Sequence, residues 1–398
     1  MKVYDFEIPE CKNFTGYKPC YPYSKCYEQG CVDPKPFGVK ILIINLDAMG
    51  NVLLTTSILP AIKRKYPQST IYWLTLKNTH LLLENNPYLD EVFVWDPETW
   101  LVLENMKFDI IMNVDKSRRA GALTMKLKAD KKLGYGMNEH GQIIPLSKSA
   151  SYDYKLGLDD ELKFKRNQKT RQEILCEMFE LEYKRDEYVL VLSEEEKSFS
   201  EEYKKKVGIK SGELVVGFNT GCSPLYPNKK MTIEQHVELI RRFSRYDDLK
   251  LVLLGGPEDT KRNEEIFNRA IQIDGVAGKL INTPTTEGIR RGICYENICD
   301  VVITGDSYGM HLAIALKKFV IAWFGLSSWV EIDLYDRGIK LIPEGLECAP
   351  CWKKVCPYNL ECIKMIDLDK IEQAVLDYKR EFLYAWSERD KVEKVSKI

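Results

Sequence analysis

The reactive side chains that stand out in this 398-residue sequence are cysteines, because eight of its 12 cysteines fall into two groups of four. In the second group, a pair of thiols separated by two residues is followed closely by two more, with Trp352 among them. This spacing suits a structural zinc ion or an iron–sulfur cluster, although disulfides or buried metal-free thiols would also account for it. The first group is more widely spaced and less diagnostic, and the two groups could share one site. The second group is Cys348, Cys351, Cys356 and Cys362, and the first is Cys11, Cys20, Cys26 and Cys31.

Four other segments carry polar side chains where a predicted strand passes into a predicted helix. In open α/β sheets, ligands bind beyond the carboxyl ends of the strands, at helix N-termini. The first segment has Asp47, Gly50 and Asn51 at such a turn, with Thr55 and Thr56 one helical turn later. The alternative is a simple helix cap, in which Asp47 or Asn51 only satisfies free backbone amides.

The second and third segments lie in the second half of the chain. Small residues, Thr220 and Gly221, follow a predicted strand and precede the pair Lys229 and Lys230 at a helix start. Ammonium groups and backbone amides at such a place suit a phosphate, and the alternative is a solvated lysine pair. The third segment has Gly255 at a tight turn, with an acid soon after it that would hold ribose hydroxyls or only complement the helix dipole. That acid is Glu258.

The fourth segment has the densest set of polar groups, all near the start of one predicted helix. Such a set suits a hydroxyl-rich or phosphorylated ligand, although a lone histidine is more often a core or capping residue. Its candidate residues are Asp306, Ser307, Gly309, Met310 and His311.

The elements that must position these segments form two series of alternating strands and helices. This alternation predicts two Rossmann-like α/β lobes with parallel sheets, facing each other across a cleft. We expect a nucleotide-linked donor in the second lobe, which has most of the phosphate-type loops, and an acceptor in the first. The predicted strands are residues 40–46, 70–75, 91–95 and 108–114, and then 214–218, 250–254, 300–304 and 319–323.

Beyond the two lobes, the sequence predicts three smaller parts. A helix predicted near the C-terminus has an apolar stripe, which we expect to pack back toward the first lobe. The predicted divisions are a Cys-rich extension (1–37), an acceptor-side lobe (38–190), a lobe for the nucleotide-linked donor (191–345), a Cys cluster (346–365) and the C-terminal helix (366–398).

Charge and hydropathy narrow the classes of partner. The sequence has 58 Lys and Arg against 59 Asp and Glu, which argues against nucleic acid as a partner. No window approaches the roughly 18–20 apolar residues of a membrane span, and the first residues lack the apolar core of a secretory signal. We therefore expect a cytoplasmic protein with, at most, peripheral association with the cytoplasmic face of the inner membrane.

Taken together, the four segments resemble those of the family 9 glycosyltransferases, whose best-known members are the lipopolysaccharide heptosyltransferases. The resemblance covers about residues 38–366 and is most specific at residues 306–313. It implies a GT-B fold and an inverting transfer of a heptose or similar sugar from a nucleotide sugar, typically ADP-heptose. The acceptor would be a lipopolysaccharide core or another glycan, and no catalytic metal would be needed.

The resemblance also implies roles for particular residues. Lys229 matches the family lysine that contacts the donor phosphates, and Thr220 and Gly221 match small residues of the preceding phosphate loop. The fourth segment matches the donor-binding loop, with Tyr308 replacing the usual proline.

The sequence departs from the family at Asn51, where the family has the aspartate that acts as general base. An amide cannot take a proton from an acceptor hydroxyl near neutral pH. Three interpretations follow: Asp47 or Asp115 acts as the base, the protein binds ligands with poor turnover, or the chain is a variant inactivated to trap a complex. The competing classes are therefore a non-catalytic nucleotide-sugar or glycan-binding protein and a metal or redox protein that works through its cysteines.

Overall fold

The computed structural model describes residues 5–18, 20, 25–31 and 33–395, with side chains described as far as residue 384. Within them, two six-stranded sheets form the two predicted α/β lobes. The strands of the first lobe are β1 (Val39–Ile44), β2 (Ser69–Thr75), β3 (Glu91–Val94), β4 (Lys107–Asn113), β5 (Lys128–Met137) and β6 (Ile143–Pro145). The strands of the second lobe are β7 (Leu214–Asn219), β8 (Leu249–Leu254), β9 (Leu280–Asn282), β10 (Val301–Gly305), β11 (Phe319–Trp323) and β12 (Gly338–Leu341).

Both sheets have the same strand order. The first reads β3-β2-β1-β4-β5-β6, and the second, read from the opposite edge, is β9-β8-β7-β10-β11-β12. All the neighbouring pairs are parallel except β5 and β6, which are antiparallel. In such sheets the connections leave in opposite directions from two adjacent central strands, and the crevice at their carboxyl ends binds ligands. These strands are β1 and β4 in the first lobe and β7 and β10 in the second.

The eight strands predicted from apolar runs are confirmed, each within two residues of its predicted ends. The sequence did not predict four edge or near-edge strands: β5, β6, β9 and β12. The reason is clearest in β5, whose first half is rich in lysine and largely exposed, so it lacks the apolar run of a strand covered on both faces.

Helices connect the strands of each lobe and cover the sheets. The helical segment that begins at Met49 is divided by a 3₁₀ turn, Thr56–Ile58, because Pro60 at the start of the following helix has no N–H group to continue the ladder. The helices are α1 (Cys26–Gln29), α2 (Met49–Thr55), α3 (Leu59–Lys65), α4 (Pro97–Asn105), α5 (Arg118–Lys126), α6 (Ser151–Leu156), α7 (Arg171–Met178), α8 (Glu194–Lys206), α9 (Ile233–Phe243), α10 (Thr260–Ala270), α11 (Ile289–Asn297), α12 (Tyr308–Ala315), α13 (Glu361–Lys364) and α14 (Leu368–Val395).

The two lobes are in close contact. One apolar cluster continues from Trp73 in the first lobe to Met310 in the second. At the rim, the Arg185 guanidinium lies between the carboxylates of Asp333 and Asp336, at 2.7 and 2.6 Å. The crevices of the two sheets are thereby held facing each other.

The C-terminal helix α14 corrects one prediction. Its apolar stripe packs in the core of the second lobe, not toward the first: Ile371 and Val375 are fully buried there, and the Tyr378 ring stacks on Phe319 with centroids 4.5 Å apart. Ion pairs from Arg242 to Asp369 and Glu372 hold the helix against α9. The apolar stripe packs on the nearest uncovered face of the second sheet. If the helix returned to the first lobe, that face would be exposed to water. Among the described residues, no helix has the length and hydropathy needed to cross a membrane.

We predict that Ile371→Ala lowers the free energy of unfolding by about 2–5 kcal/mol, because it removes a fully buried side chain from this core. Denaturant unfolding followed by circular dichroism measures the change. The control on the same helix is Gln373→Ala, which changes an exposed side chain and should stay within about 0.5 kcal/mol of the parent. Equal effects of the two changes would contradict this packing of α14.

Candidate active site between the two lobes

The polar segments of the two lobes meet where α2 faces α12. Gly50 in the first turn of α2 lies directly against the His311 ring of α12: a Cβ atom at Gly50 would lie 2.4 Å from His311 Cδ2. Any side chain here would push the lobes apart, so Gly50 permits the close approach. Asn51, the next residue, is exposed in the first turn of α2.

Two carboxylates stand at the carboxyl ends of β1 and β4, and they differ in environment. Asp47 is about half exposed, with Oδ2 3.0 Å from Nη2 of Arg119. Partial burial and the charge of Asp115 raise the pKa of Asp47, and Arg119 opposes that rise. Asp115 is buried, and its two oxygens accept hydrogen bonds from the backbone N–H groups of Leu46 and Ser117. Asp47 therefore has the accessible oxygen, whereas Asp115 holds the two strand ends together.

The two threonines predicted on the acceptor side are buried. Thr55 and Thr56 are 1 % and 0 % exposed. The Thr56 hydroxyl donates to the Leu53 carbonyl and accepts from the N–H of Val189, 2.8 Å away. The two residues predicted on the acceptor side therefore face the protein core, because α2 turns this face inward.

In the second lobe, Asn219 joins the ends of β7 and β10. Its side-chain amide donates to the hydroxyls of Thr304 and Ser307, both at 2.8 Å. A Cβ at Gly309 would lie 2.5 Å from the Asn219 amide, so glycine is required for this contact. The start of α12 is thereby fixed beside the loop that contains Thr220 and Gly221.

Lys229 pairs with Asp306 at the centre of this crevice. The Nζ of Lys229 lies 2.6 Å from Oδ2 of Asp306, and both side chains are largely buried. Burial works against ionisation of Asp306, but the Lys229 charge and hydrogen bond outweigh it and lower the pKa of Asp306. The pair is therefore ionised, and it presents one ammonium group close to the N–H groups at the start of α12.

A second lysine–aspartate pair lies beside the first. The Nζ of Lys230 is 2.9 Å from Oδ1 of Asp259, and a Cβ at Gly221 would lie 1.9 Å from Oδ2 of Asp259. The sequence singled out Glu258, which is exposed, but its buried neighbour Asp259 supplies the carboxylate here. Gly255 makes room for the same side chain, 2.9 Å from the Asp259 Cβ.

His311 is buried and neutral. Burial lowers its pKa to about 4, and a hydrogen bond of 3.2 Å joins its Nδ1 to the hydroxyl of Tyr188. Met310 is fully buried in the core that joins the lobes. Of the predicted fourth segment, the Met310 side chain is therefore not available to a ligand. Tyr188 was not predicted, since a tyrosine in a connecting segment carries no local signal.

The second thiol group lies beside this crevice. Its four cysteines line one cavity with Gly325, which lies two residues after the end of β11. Burial and the other thiols raise the pKa of Cys362 to about 11. Within the described residues, no set of three or more His, Cys, Asp or Glu side chains is placed so that it could hold a metal ion.

The first thiol group lies on the other lobe. Lys12, next to Cys11, pairs with Asp90 of the first lobe at 2.6 Å. Partial burial and the three other thiols of the group raise the pKa of Cys20. The placement of the two groups on different lobes gives no support to a shared site.

The comparisons with known proteins all indicate the same family. The family described as "Glycosyltransferase family 9 (heptosyltransferase)" matches residues 99–361. Lipooligosaccharide heptosyltransferase 2 of Campylobacter jejuni (serotype O:2) is 26 % identical over 179 residues, 44 % of this chain and 54 % of that protein. The chain thus spans about half the length of this curated relative.

Two solved structures share the fold. The family 9 glycosyltransferase of Veillonella parvula has a TM-score of 0.66 at 21 % identity, covering 86 % of this chain and 97 % of its own. The ADP-heptose lipopolysaccharide heptosyltransferase II of E. coli has a TM-score of 0.64 at 18 % identity, covering 87 % and 99 %. The predicted two-lobed GT-B fold is confirmed.

We predict that Lys229→Met lowers the free energy of unfolding by about 3 kcal/mol, because it leaves the buried Asp306 carboxylate without its partner. Adding Asp306→Asn should restore most of the loss. Denaturant unfolding of the parent, the single variant and the double variant measures this coupling. The control is Lys261→Met, which removes an exposed ammonium group; if it matches Lys229→Met, the pair has no special role in stability.

Proposed function

Since the chain belongs to glycosyltransferase family 9, we propose that it transfers a heptose or similar sugar, with inversion, from ADP-heptose to a lipopolysaccharide-core or other glycan acceptor. The observation that carries this proposal is the pairing of two unlike sites across one cleft. Two lysines and a helix start form the second-lobe side, and a half-exposed carboxylate with the first turn of α2 forms the first-lobe side.

The second-lobe side suits the diphosphate of a nucleotide-sugar donor. Lys229 and Lys230 are held in place by Asp306 and Asp259 before any ligand arrives, so little reorganisation is needed when negative charge develops on the leaving nucleotide. The first N–H groups of α12 add donors of hydrogen bonds at the same place. Charge stabilisation by these groups fits a reaction that needs no catalytic metal.

The first-lobe side suits an acceptor hydroxyl and its base. In an inverting transfer, the base removes the hydroxyl proton while the oxygen attacks the anomeric carbon opposite the leaving nucleotide. Asp47 fits this role better than Asp115, because it is accessible and its pKa is raised. Gly50, three residues after Asp47, lies against His311 of the second lobe, so the first turn of α2 borders both sides of the proposed site.

A weakly active or inactive nucleotide-sugar or glycan-binding protein is the second candidate. The observation that favours it is the amide of Asn51, exposed in the first turn of α2 where the family has its catalytic aspartate. The donor side of the site would still bind its ligand in this case.

If the turn at residue 51 lacks its base, we predict that Asn51→Asp raises the transfer rate about 10²–10⁴-fold, because the new carboxylate supplies one. Release of ADP from ADP-heptose in the presence of a lipopolysaccharide-core acceptor measures the rate. Asn51→Gln is the matched control, and the affinity for ADP should stay the same in both variants.

The Asp47→Asn variant tests whether Asp47 is the base or whether a base is missing at residue 51. If Asp47 is the base, this variant loses activity and Asn51→Asp leaves the rate unchanged. If wild type binds ADP but neither it nor Asn51→Asp transfers sugar, the protein is a binding protein. Absence of binding to ADP, GDP and UDP species alike would overturn the nucleotide-sugar assignment.

We also propose that the second thiol group holds a structural zinc ion or iron–sulfur cluster. Four thiols around one cavity supply the donor set that such groups use. The side chains as placed do not yet form an ion site, so binding requires a local rearrangement of residues 348–362. The first thiol group is the weaker candidate for the same role.

We predict that anaerobically purified protein contains about one zinc ion, or the iron of one cluster, per chain. Cys351→Ser should lose that metal, and Cys222→Ser, which changes a thiol outside both groups, should retain it. Elemental analysis measures both. Absence of zinc and iron from the wild-type protein would remove the metal proposal.

We further propose a cytoplasmic location, with the acceptor reached at the cytoplasmic face of the inner membrane. The formal net charge of −1 gives little general attraction to anionic lipids, so any membrane association would be peripheral and weak.

A further inference from the structure

The loop that carries the second thiol group also carries an aromatic ring into the donor side of the cleft. The Trp352 ring centroid lies 5.1 Å from Nζ of Lys229 and 4.9 Å from Nζ of Lys163. Lys229 belongs to the second lobe, and Lys163 lies in a short π-helical turn that follows α6 of the first. One indole therefore contacts one ammonium group from each lobe.

The loop is tied to the same crevice by its backbone. The N–H groups of Cys351 and Trp352 donate to the Leu326 carbonyl at 3.1 and 2.8 Å. From the other side, the Asn228 amide donates to the carbonyl of Lys354 at 3.0 Å, and the Tyr226 ring lies 5.2 Å from the indole. The loop is thus attached both to the end of β11 and to the segment that contains Lys229.

Trp352 has a backbone conformation that its type rarely adopts. Its φ is 51°, in the left-handed region, which for a bulky residue persists only when the surrounding contacts determine it. The side chain is nevertheless 41 % exposed, so burial of the indole alone does not account for this conformation. The contacts that do are those with Leu326, Tyr226 and the two lysines.

We propose that Trp352 is a positioning residue for the donor: its ring face orients the Lys229 ammonium toward the donor diphosphate and joins it to Lys163 of the first lobe. This inference rests on the proposed function. The face of an indole attracts cations, and each ammonium group at this ring also has a carboxylate partner, Asp306 for Lys229 at 2.6 Å and Glu331 for Lys163 at 3.9 Å. A diphosphate carries more negative charge than either carboxylate, so a donor bound here would draw on both ammonium groups, and its affinity would depend on the ring that holds them.

The loop that carries the second thiol group would then take part in donor binding, because it positions the indole of Trp352. Cys351 precedes Trp352 directly, and Cys348, Cys356 and Cys362 line the cavity on which the loop folds. Whatever state these thiols adopt sets the position of the indole. The second thiol group therefore lies beside the cleft and not apart from it.

The test is calorimetric titration of the full-length protein with ADP. Trp352→Leu should weaken ADP binding about tenfold, Trp352→Phe should retain most of the affinity, and Lys163→Met should weaken it by a smaller factor. In the transfer assay, KM for the donor should rise while KM for the acceptor stays the same. The control is Trp100→Leu, which changes another exposed tryptophan, on α4 of the first lobe.

A double-mutant cycle tests whether Trp352 affects ADP binding through Lys229. In a Lys229→Met background, Trp352→Leu should have little further effect, because its partner is gone. Unchanged ADP affinity in Trp352→Leu, with weakened binding in Lys229→Met, would overturn the inference and leave the proposed function standing. Failure of wild type to bind ADP would instead overturn the donor assignment itself. If Trp352→Leu does not fold, Trp352→Phe and Lys163→Met decide: equal affinity to wild type in both would also overturn it.

Discussion

The close approach of α2 and α12 is the constraint on which the rest of the site depends. Gly50 and His311 touch across the two lobes, and no side chain fits between them. Because each helix begins at the crevice of its own sheet, this contact brings the two crevices face to face. Burial at the same contact keeps His311 neutral, so its imidazole adds no positive charge between the lobes at physiological pH.

Around that contact, the two lobes carry charged side chains in different environments. On the second lobe, Lys229 and Lys230 are paired with the largely buried Asp306 and Asp259, and each pairing offsets part of the desolvation cost of its charges. On the first lobe, both oxygens of Asp115 accept hydrogen bonds from backbone N–H groups, whereas Asp47 keeps an accessible oxygen. The same residue type thus serves structure at one strand end and is available for chemistry at the next.

The loop that carries the second thiol group, residues 348–362, contacts the site although its sequence resembles a separate segment. Its spacing in the sequence resembles an independent metal-binding segment, yet its backbone is bonded to Leu326 and Asn228 at the rim of the donor crevice. A loop fixed at both of these points can transmit its own conformation to Lys229 through a single ring. Under the proposed function, the stability of the loop and the affinity for the donor would then be linked.

The sequence by itself determined the elements and the crevices: apolar runs long enough for buried strands, their alternation with helices, and polar segments at the strand ends. It also identified Asn51 and the Lys229 segment, since local type and order suffice for a match to a family. Only the tertiary structure decided the destination of α14, the burial of Thr55 and Thr56, the use of Asp259 in place of Glu258, and the contact of Trp352 with Lys229. The physical reason is that hydrophobic periodicity defines which face of an element is buried, but not the partner that buries it. Partners distant in the chain are selected by packing of whole elements, and no short-range pattern records that choice.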